Sequence, residues 1–341
     1  MPDGSVCHGI VRRCLASAGR PVVDRSRQPH REPGPIDHQR SQFAPAYSGI
    51  ATLFGVPLCL NQEDLRAGKV DAAVVGAPVD VSLGHRGAAY GPRALRADET
   101  VLPNSPAMLI NDTTRVHPFQ VLTVVDYGDA PVDPLSIDNS MEPIRSLVRE
   151  IAEVGAVPIV LGGDHSILWP DAAAIADMYG PGKVGVIHFD AHPDCANDLA
   201  GHLASHGTPV RRLIDDEHIP GQNFVQIGLR SAVAPDDALF DWMREQGLRT
   251  HFMAEIDRRG FTAVLDDAIN EALDGPEHIY LSLDIDVLDP AFAPGTGTPE
   301  PPVLTNRELL PAIRRICHET PFVGMEVVEV APHLDPDTPP P

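Results

Sequence analysis

From residue 70 onward the chain repeats one pattern, in which a short apolar run gives way to a turn and then to a stretch with helical spacing. The runs fall at 72–75, 121–125, 157–161, 184–189, 224–229, 279–283 and 322–328. Between them, 141–154, 167–179, 238–246, 262–273 and 305–317 read as helices. The last opens on Thr305 with Glu308 three residues later, the spacing of a capping box. Strands alternating with helices predict a mostly parallel sheet with crossover helices, an α/β architecture. No repeat of 20 to 50 residues and no linker interrupts this region, so it is expected to form one domain.

The 341 residues divide into an irregular N-terminal arm at 1–45, rich in Arg, Pro, Ser and Gln, a folded domain at 46–335 and a Pro-rich tail at 336–341. Pro332 onward cannot continue a helix and is expected at the surface. No apolar run reaches the length of a membrane span, so no membrane partner is expected. With 26 basic against 48 acidic residues the net charge is -22, which disfavours nucleic acid and favours a cationic small molecule. Cys7, Cys14, Cys59, Cys195 and Cys317 are odd in number, scattered and free of CxxC pairs. The set fits neither a disulfide framework nor a zinc finger. A reducing, cytoplasmic compartment is the expectation, ahead of the transit peptide that the Arg-rich start also permits.

Three segments carry chemistry. In HFDAHPD, Asp190, His192 and Asp194 recur at every second position after an apolar run, so an extended chain turns all three to one side. SLDIDVLD repeats the arrangement with Asp284 and Asp286. One aspartate after a strand is commonly a helix cap or loop starter; five ligand-type residues in two arrays are not. LGGDHS ends a third run, where Gly162 and Gly163 permit a tight turn that leaves Asp164 and His165 at the rim of the same crevice. Ligands of an open α/β sheet bind beyond the carboxyl ends of its strands, where all three segments lie. Two imidazoles and four carboxylates suit hard to borderline divalent ions such as Mn²⁺. Two such ions bridged by aspartates would lower the pKa of a shared water, which points to hydrolysis.

GGDHS at 162–166, DAHPD at 190–194 and SLDIDVLDPAFAPGTGTPEP at 282–301 together resemble the ureohydrolase family of arginases and agmatinases, most closely its agmatinase branch. The likeness extends to GIATLFGVP (49–57), GAPVD (76–80), GAAYGPRALR (87–96), SHGTP (205–209) and MEVVEVAP (325–332), and covers about residues 45–335. The resemblance implies a three-layer α/β/α arginase-like fold with a parallel sheet of about eight strands, assembly into trimers or hexamers, and two Mn²⁺, with Ni²⁺ as the alternative. The implied reaction is hydrolysis of a guanidino compound to an amine and urea, by attack of metal-activated hydroxide on the guanidinium carbon. One metal would be held by His165, Asp190, Asp194 and Asp284, the other by Asp190, His192, Asp284 and Asp286. Asp194 would also orient the hydroxide, His206 would pass a proton to the leaving amine, and Glu329 would pair with the guanidinium in preference to its neighbour Glu326.

Three departures touch the substrate end. Pro301, Pro302 and Val303 replace a usual glycine pair, HRGAA at 85–89 replaces an RPGAR-like stretch, and relatives continue past the position of Pro341 through another helix. Agmatine is the default substrate by branch. Guanidinobutyrate, free or alkylated guanidine, or a biguanide such as metformin are alternatives, some with nickel. An anionic tail would call for an arginine, and Arg86 is the candidate. A non-catalytic subunit partnering a homologous enzyme is a second reading, opposed by six intact ligand positions, and a deacetylase on the same fold is a third.

Overall fold

The computed structural model describes residues 31–39, 48–97, 110, 115–231, 237–301 and 304–336. The remainder of the arm at 1–45, Pro302, Val303 and residues 337–341 lie outside the described residues. The chain divides into two units, Met1–Pro33 and Gly34–Pro341. Of the first, residues 31–33 are described and are exposed. The second carries the fold.

Eight strands form one sheet: β1 (Ala72–Ala77), β2 (Val124–Asp129), β3 (Val157–Gly162), β4 (Val184–Phe189), β5 (Phe224–Leu229), β6 (Arg249–Phe252), β7 (His278–Asp284) and β8 (Phe322–Val328). Their order is β2-β1-β3-β8-β7-β4-β5-β6, and every pairing is parallel. The helices are α1 (Gln62–Gly68), α2 (Gly91–Arg96), α3 (Pro118–Val121), α4 (Asp138–Glu153), α5 (Leu168–Tyr179), α6 (Pro209–Asp215), α7 (Asp237–Gln246), α8 (Met253–Arg259), α9 (Phe261–Ala272) and α10 (Asn306–Glu319).

The strands sort their side chains by the period of two into two separate cores. Val184, Val186, Phe224 and Tyr280 pack with Ile144, Val148 and Ile151 of α4, Leu168 and Ile175 of α5, and Leu213 of α6. Ile187, Phe189, Val225, Ile227, Ile279 and Leu281 pack on the opposite face with Ile256 of α8, Val264 and Leu265 of α9, and Leu309 and Ile316 of α10. Both faces are therefore covered, and the expected three layers are present. Each fully buried aliphatic side chain contributes about 1.5–3 kcal/mol, which is why the central strands are apolar on both faces.

Two strands depart from the apolar pattern. β6, RTHF, went unread in the sequence because it closes the sheet edge with only His251 buried. β2 begins three residues later than its apolar run suggests, because Pro118–Val121 is helical, and it carries Asp126 and Asp129 among its six residues. Asp126 tolerates burial by accepting two hydrogen bonds from Arg96 of α2, from Nε at 2.7 Å and Nη2 at 3.0 Å. At the start of α10, Glu308 accepts from Thr305 N at 2.9 Å and from Thr305 Oγ1 at 2.8 Å, as the capping spacing foretold.

The chain moves outward from β1 to β2, returns to β3, and then crosses to β4, so β8 and β7 fill the gap between the two halves. The carboxyl ends of β3, β8, β7 and β4 are consecutive at this switch in winding, the standard position of a ligand crevice in such sheets. Gly163 lets β3 enter it: a Cβ there would collide with the Val79 carbonyl oxygen. Gly163 N and Asp164 N donate to Ala77 O and Val79 O at 2.8 and 2.9 Å. Beyond β8, Pro332–Leu334 forms a single 3-10 turn, with His333 edge-on to Tyr90.

Candidate metal centre

Four strand ends deliver the side chains. After β3, Asp164 caps the 3-10 turn His165–Ile167 by accepting from Ser166 N, and the turn places His165 inward. After β4, the chain leaves the extended conformation at once, and Asp194 has φ 49°. After β7, Asp284 caps the 3-10 turn Ile285–Val287, accepting from Asp286 N at 2.8 Å. The period-of-two argument expects an extended chain to turn these residues to one side, and the structure gathers them otherwise. Turns gather them, since only a curled chain brings Asp190, His192 and Asp194 around a point in space.

The resulting cluster is tight. His165 Nδ1 lies 2.9 Å from Asp190 Oδ2, 2.9 Å from Asp194 Oδ2 and 3.2 Å from Asp284 Oδ2. His192 Nδ1 lies 2.9 Å from Asp286 Oδ2 and 3.4 Å from Asp190 Oδ1. Asp190 therefore faces two groups, one on each of its oxygens. Ligand atoms of His165, His188, Asp190 and Asp194 fall within 4.8 Å of one another, as do those of Asp190, His192 and Asp286. His206 Nδ1 stands 3.8 Å from Glu329 Oε1, and that oxygen accepts from His165 N at 3.0 Å. All eight residues singled out in the sequence are thus brought to one place.

Electrostatics make the cluster costly as it stands. Burial, with Asp286 and Asp190 alongside, raises the Asp284 carboxyl well above its usual range, and burial beside Asp190 raises Asp286. Burial raises Glu329 well above its usual range too, with Asp284 and Asp164 adding to the effect. Asp190 is buried as deeply yet held well below the ordinary value by His165, His188 and His192. Against the opposing effect of burial, Asp190 and Asp286 push His192 up to about 12. Asp190, Asp194 and Asp284 raise His165 in the same way. So many buried acids cannot all ionise without added positive charge.

Divalent cations meet that requirement. His165 Nδ1, His188 Nε2 and Asp190 Oδ2 are buried without a hydrogen-bond partner and converge on one point. Four ionised aspartates and two neutral imidazoles balance two divalent ions, and the donor set of oxygens and imidazole suits hard to borderline metals. The residues present fit a binuclear centre.

Several contributors escaped the sequence reading. His188 Nε2 lies 3.1 Å from Asp190 Oδ2, and Gln226 Nε2 contacts His188 Nδ1 at 3.1 Å. Stepping back two residues from Asp190 along the same strand would have found His188. Ser282 Oγ stands 2.8 Å from His165 Nε2 and donates to Glu326 Oε1 at 2.7 Å. Glu326 is thereby tied up inside β8, whereas Glu329 lies past the strand end at φ 62° and turns toward the cluster. Arg230 binds three backbone carbonyls, of Glu300, Gly228 and Asp286, at 2.7, 3.0 and 2.6 Å, and so fastens the Asp286 turn to β5.

An acidic cleft whose residues fit two metal ions, at the switch point of an eight-stranded parallel sheet, is the setting of a hydrolase, and the comparisons give its class as ureohydrolase. The pattern that defines the Arginase family matches residues 70–339, and the chain belongs to that family. It is 37% identical over 297 residues to the mitochondrial agmatinase of Gallus gallus, covering 86% of this chain and 82% of that protein. It is 33% identical over 332 residues to the mitochondrial guanidino acid hydrolase of Homo sapiens, covering 96% and 88%. Among solved structures, proclavaminate amidino hydrolase from Streptomyces clavuligerus superposes with a TM-score of 0.75 at 32% identity, over 86% of this chain and 93% of that one.

Proposed function

We propose that the protein hydrolyses a guanidino compound, releasing urea and the corresponding amine. The observation that carries this reading is the pair of ligand groups sharing Asp190, with Glu329 and His206 beside them. In this reading His165, Asp190, Asp194 and Asp284 hold one ion and Asp190, His192, Asp284 and Asp286 the other, with Mn²⁺ the first choice and Ni²⁺ the second. Bound there, such ions supply Lewis acidity and bring a water within reach of deprotonation at neutral pH.

The protein's own groups supply the rest. The Glu329 carboxylate matches a planar guanidinium, and two parallel charge-assisted hydrogen bonds would fix the plane of the head group. Asp194, 2.9 Å from His165 Nδ1, is set to accept a proton from the attacking water and to orient it. His206 is set to donate one. Leu83 N donates to His206 Nε2 at 3.2 Å, so in the neutral ring the proton resides on Nδ1, on the side of Glu329. Addition of water to the guanidinium carbon, cleavage of its bond to the substituted nitrogen and delivery to that nitrogen, through His206, of the proton that Asp194 takes from the water release urea and the amine and leave both side chains as they began.

Agmatine and guanidino acids share the head group and satisfy this machinery equally. We place the protein in the cytoplasm, which accords with the free thiols of Cys195 and Cys317, and assembled as a trimer or hexamer, alone or with a homologous subunit. Urea release from protein loaded separately with Mn²⁺ and Ni²⁺ tests the reaction across agmatine, arginine, 4-guanidinobutanoate, guanidine and metformin. Urea from one substrate supports it; a metal-loaded protein silent on all of them favours the non-catalytic subunit.

A further inference from the structure

On the His206 side of the metal centre lies an open cavity of about 720 Å³, bounded by Asp80, Leu83, Arg86 and parts of segments 132–138 and 199–205. Leu83 gives its backbone N–H to His206, and Ser205 precedes that histidine, so the cavity adjoins His206. A built Cβ on Gly297 would lie 3.7 Å from Glu329 Oε2 and 2.6 Å from the carbonyl oxygen of His85, which sets the residue preceding Arg86 close to the head-group carboxylate.

The charges of the wall are unequal in availability. Asp80 is spent on its own loop: Oδ1 accepts from Ser82 N at 3.4 Å and Oδ2 from Gly87 N. Asp133 accepts from Leu135 N at 3.0 Å and from Asn139 Nδ2 at 2.8 Å. Asp138, His202 and Arg86 are all exposed along this wall, where water screens each of them alike. Arg86 uses Nη1 to hold Asp80 O at 2.7 Å, and among the described residues it pairs with no carboxylate. Arg86 lines the cavity, whose other basic residue is His202.

The loop that carries Arg86 is also fastened. Besides the Asp80 contacts, Gly84 N donates to Ser82 Oγ at 3.0 Å and His85 N to Gly297 O at 3.1 Å. Few rotatable groups remain to be ordered when an anion arrives, which lowers the cost of binding it.

We propose that Arg86 binds the carboxylate of the substrate tail, making the substrate class a short ω-guanidino acid. The assignment rests on the amidinohydrolase reading above and specifies its substrate. A guanidino acid offers Glu329 its cationic head and Arg86 its anionic end, two charge-assisted contacts of opposite polarity at the two ends of one molecule. Agmatine would present an ammonium to the Arg86 guanidinium, a like-charge approach that rejects it.

Two measurements test this. With metal-loaded protein, kcat/KM for 3-guanidinopropanoate or 4-guanidinobutanoate should exceed that for agmatine by about tenfold or more, the scale of a hydrogen bond to a charged group. Arg86→Gln should raise KM for the acid by about tenfold with little change in kcat, because the tail contact is equal in ground and transition states. Arg86→Glu should turn the preference toward agmatine. Preference for agmatine by the unaltered protein, or an acid KM indifferent to Arg86→Gln, overturns the assignment. Binding of 4-aminobutanoate, followed by thermal shift against putrescine, needs no turnover: a stabilisation by the amino acid that Arg86→Gln abolishes supports the tail site. That result with no urea from any guanidine would overturn the hydrolytic reading and uphold the tail site.

Discussion

Ser282 joins His165 to Glu326: one hydroxyl lies 2.8 Å from the imidazole Nε2 and 2.7 Å from the carboxylate. Donation to Glu326 leaves the hydroxyl oxygen to accept from Nε2–H, so the proton of His165 is held on Nε2 and Nδ1 is left to face Asp190, Asp194 and Asp284. Ser282→Ala removes the acceptor without altering the ligands. Metal affinity, measured by competition with a chelator, should fall about 10–100-fold, while the far-UV circular dichroism stays unchanged. Undiminished affinity would show that the tautomer is set elsewhere.

Asp190 is the residue both ligand groups share, so its loss should affect both ions together. Asp190→Asn is expected to leave less than half the metal of the unaltered protein by elemental analysis and to abolish urea release. His192→Ala should act chiefly on the group that includes Asp286, 2.9 Å away. A protein that keeps full metal and activity after either change would refute the ligand assignment.

Glu329 and His206 stand side by side but should fail differently. Glu329→Gln removes the charge that meets the guanidinium and is expected to raise KM and lower kcat/KM by about 10²-fold or more, on the scale of truncating one partner of a buried charge pair. His206→Ala leaves the head pocket and removes the proton donor, so kcat should fall about 10²–10⁴-fold with KM little changed. Restoration of turnover by added imidazole would separate a missing donor from a collapsed pocket. Identical losses in both parameters for the two variants would count against distinct roles.

Most of the site was legible because its ligands follow apolar runs, and the sheet rule then places them at one edge. The parts that stayed hidden have physical reasons. β6 carries RTHF at an edge, where one buried side chain suffices and periodicity gives no signal. Between Glu326 and Glu329, three residues apart, the motif favours Glu329, but the reason, a left-handed turn at φ 62° that directs it to the cleft and leaves Glu326 in the sheet, is given by the structure alone. A non-glycine residue in that conformation is disfavoured and cannot be foreseen from its identity. Ser282 and Gln226 read as ordinary polar residues within strands; their meaning comes from neighbours brought in by β8 and β4, far away in sequence.

Asp171 supplies the last test, in a part of the interior that no ligand motif marks. It projects from α5 and meets Glu326 and Tyr280, and all three are fully buried. Burial first, and then the neighbouring Glu326, raise its carboxyl well above the ordinary range, so the folded protein retains a proton there that the unfolded chain, with a pKa near 3.9, gives up. Between those two values the native state binds more protons than the unfolded state, and stability falls as pH rises. Asn keeps the shape and a donor toward Glu326 while removing the titration. Asp171→Asn should therefore melt with the unaltered protein near pH 4 and at progressively higher temperature than it as the pH is taken to 8. A difference in melting temperature that is constant from pH 4 to 8 would mean that Asp171 titrates alike in both states. A variant less stable at pH 8 would mean that the carboxylate, ionised, is the form the fold requires.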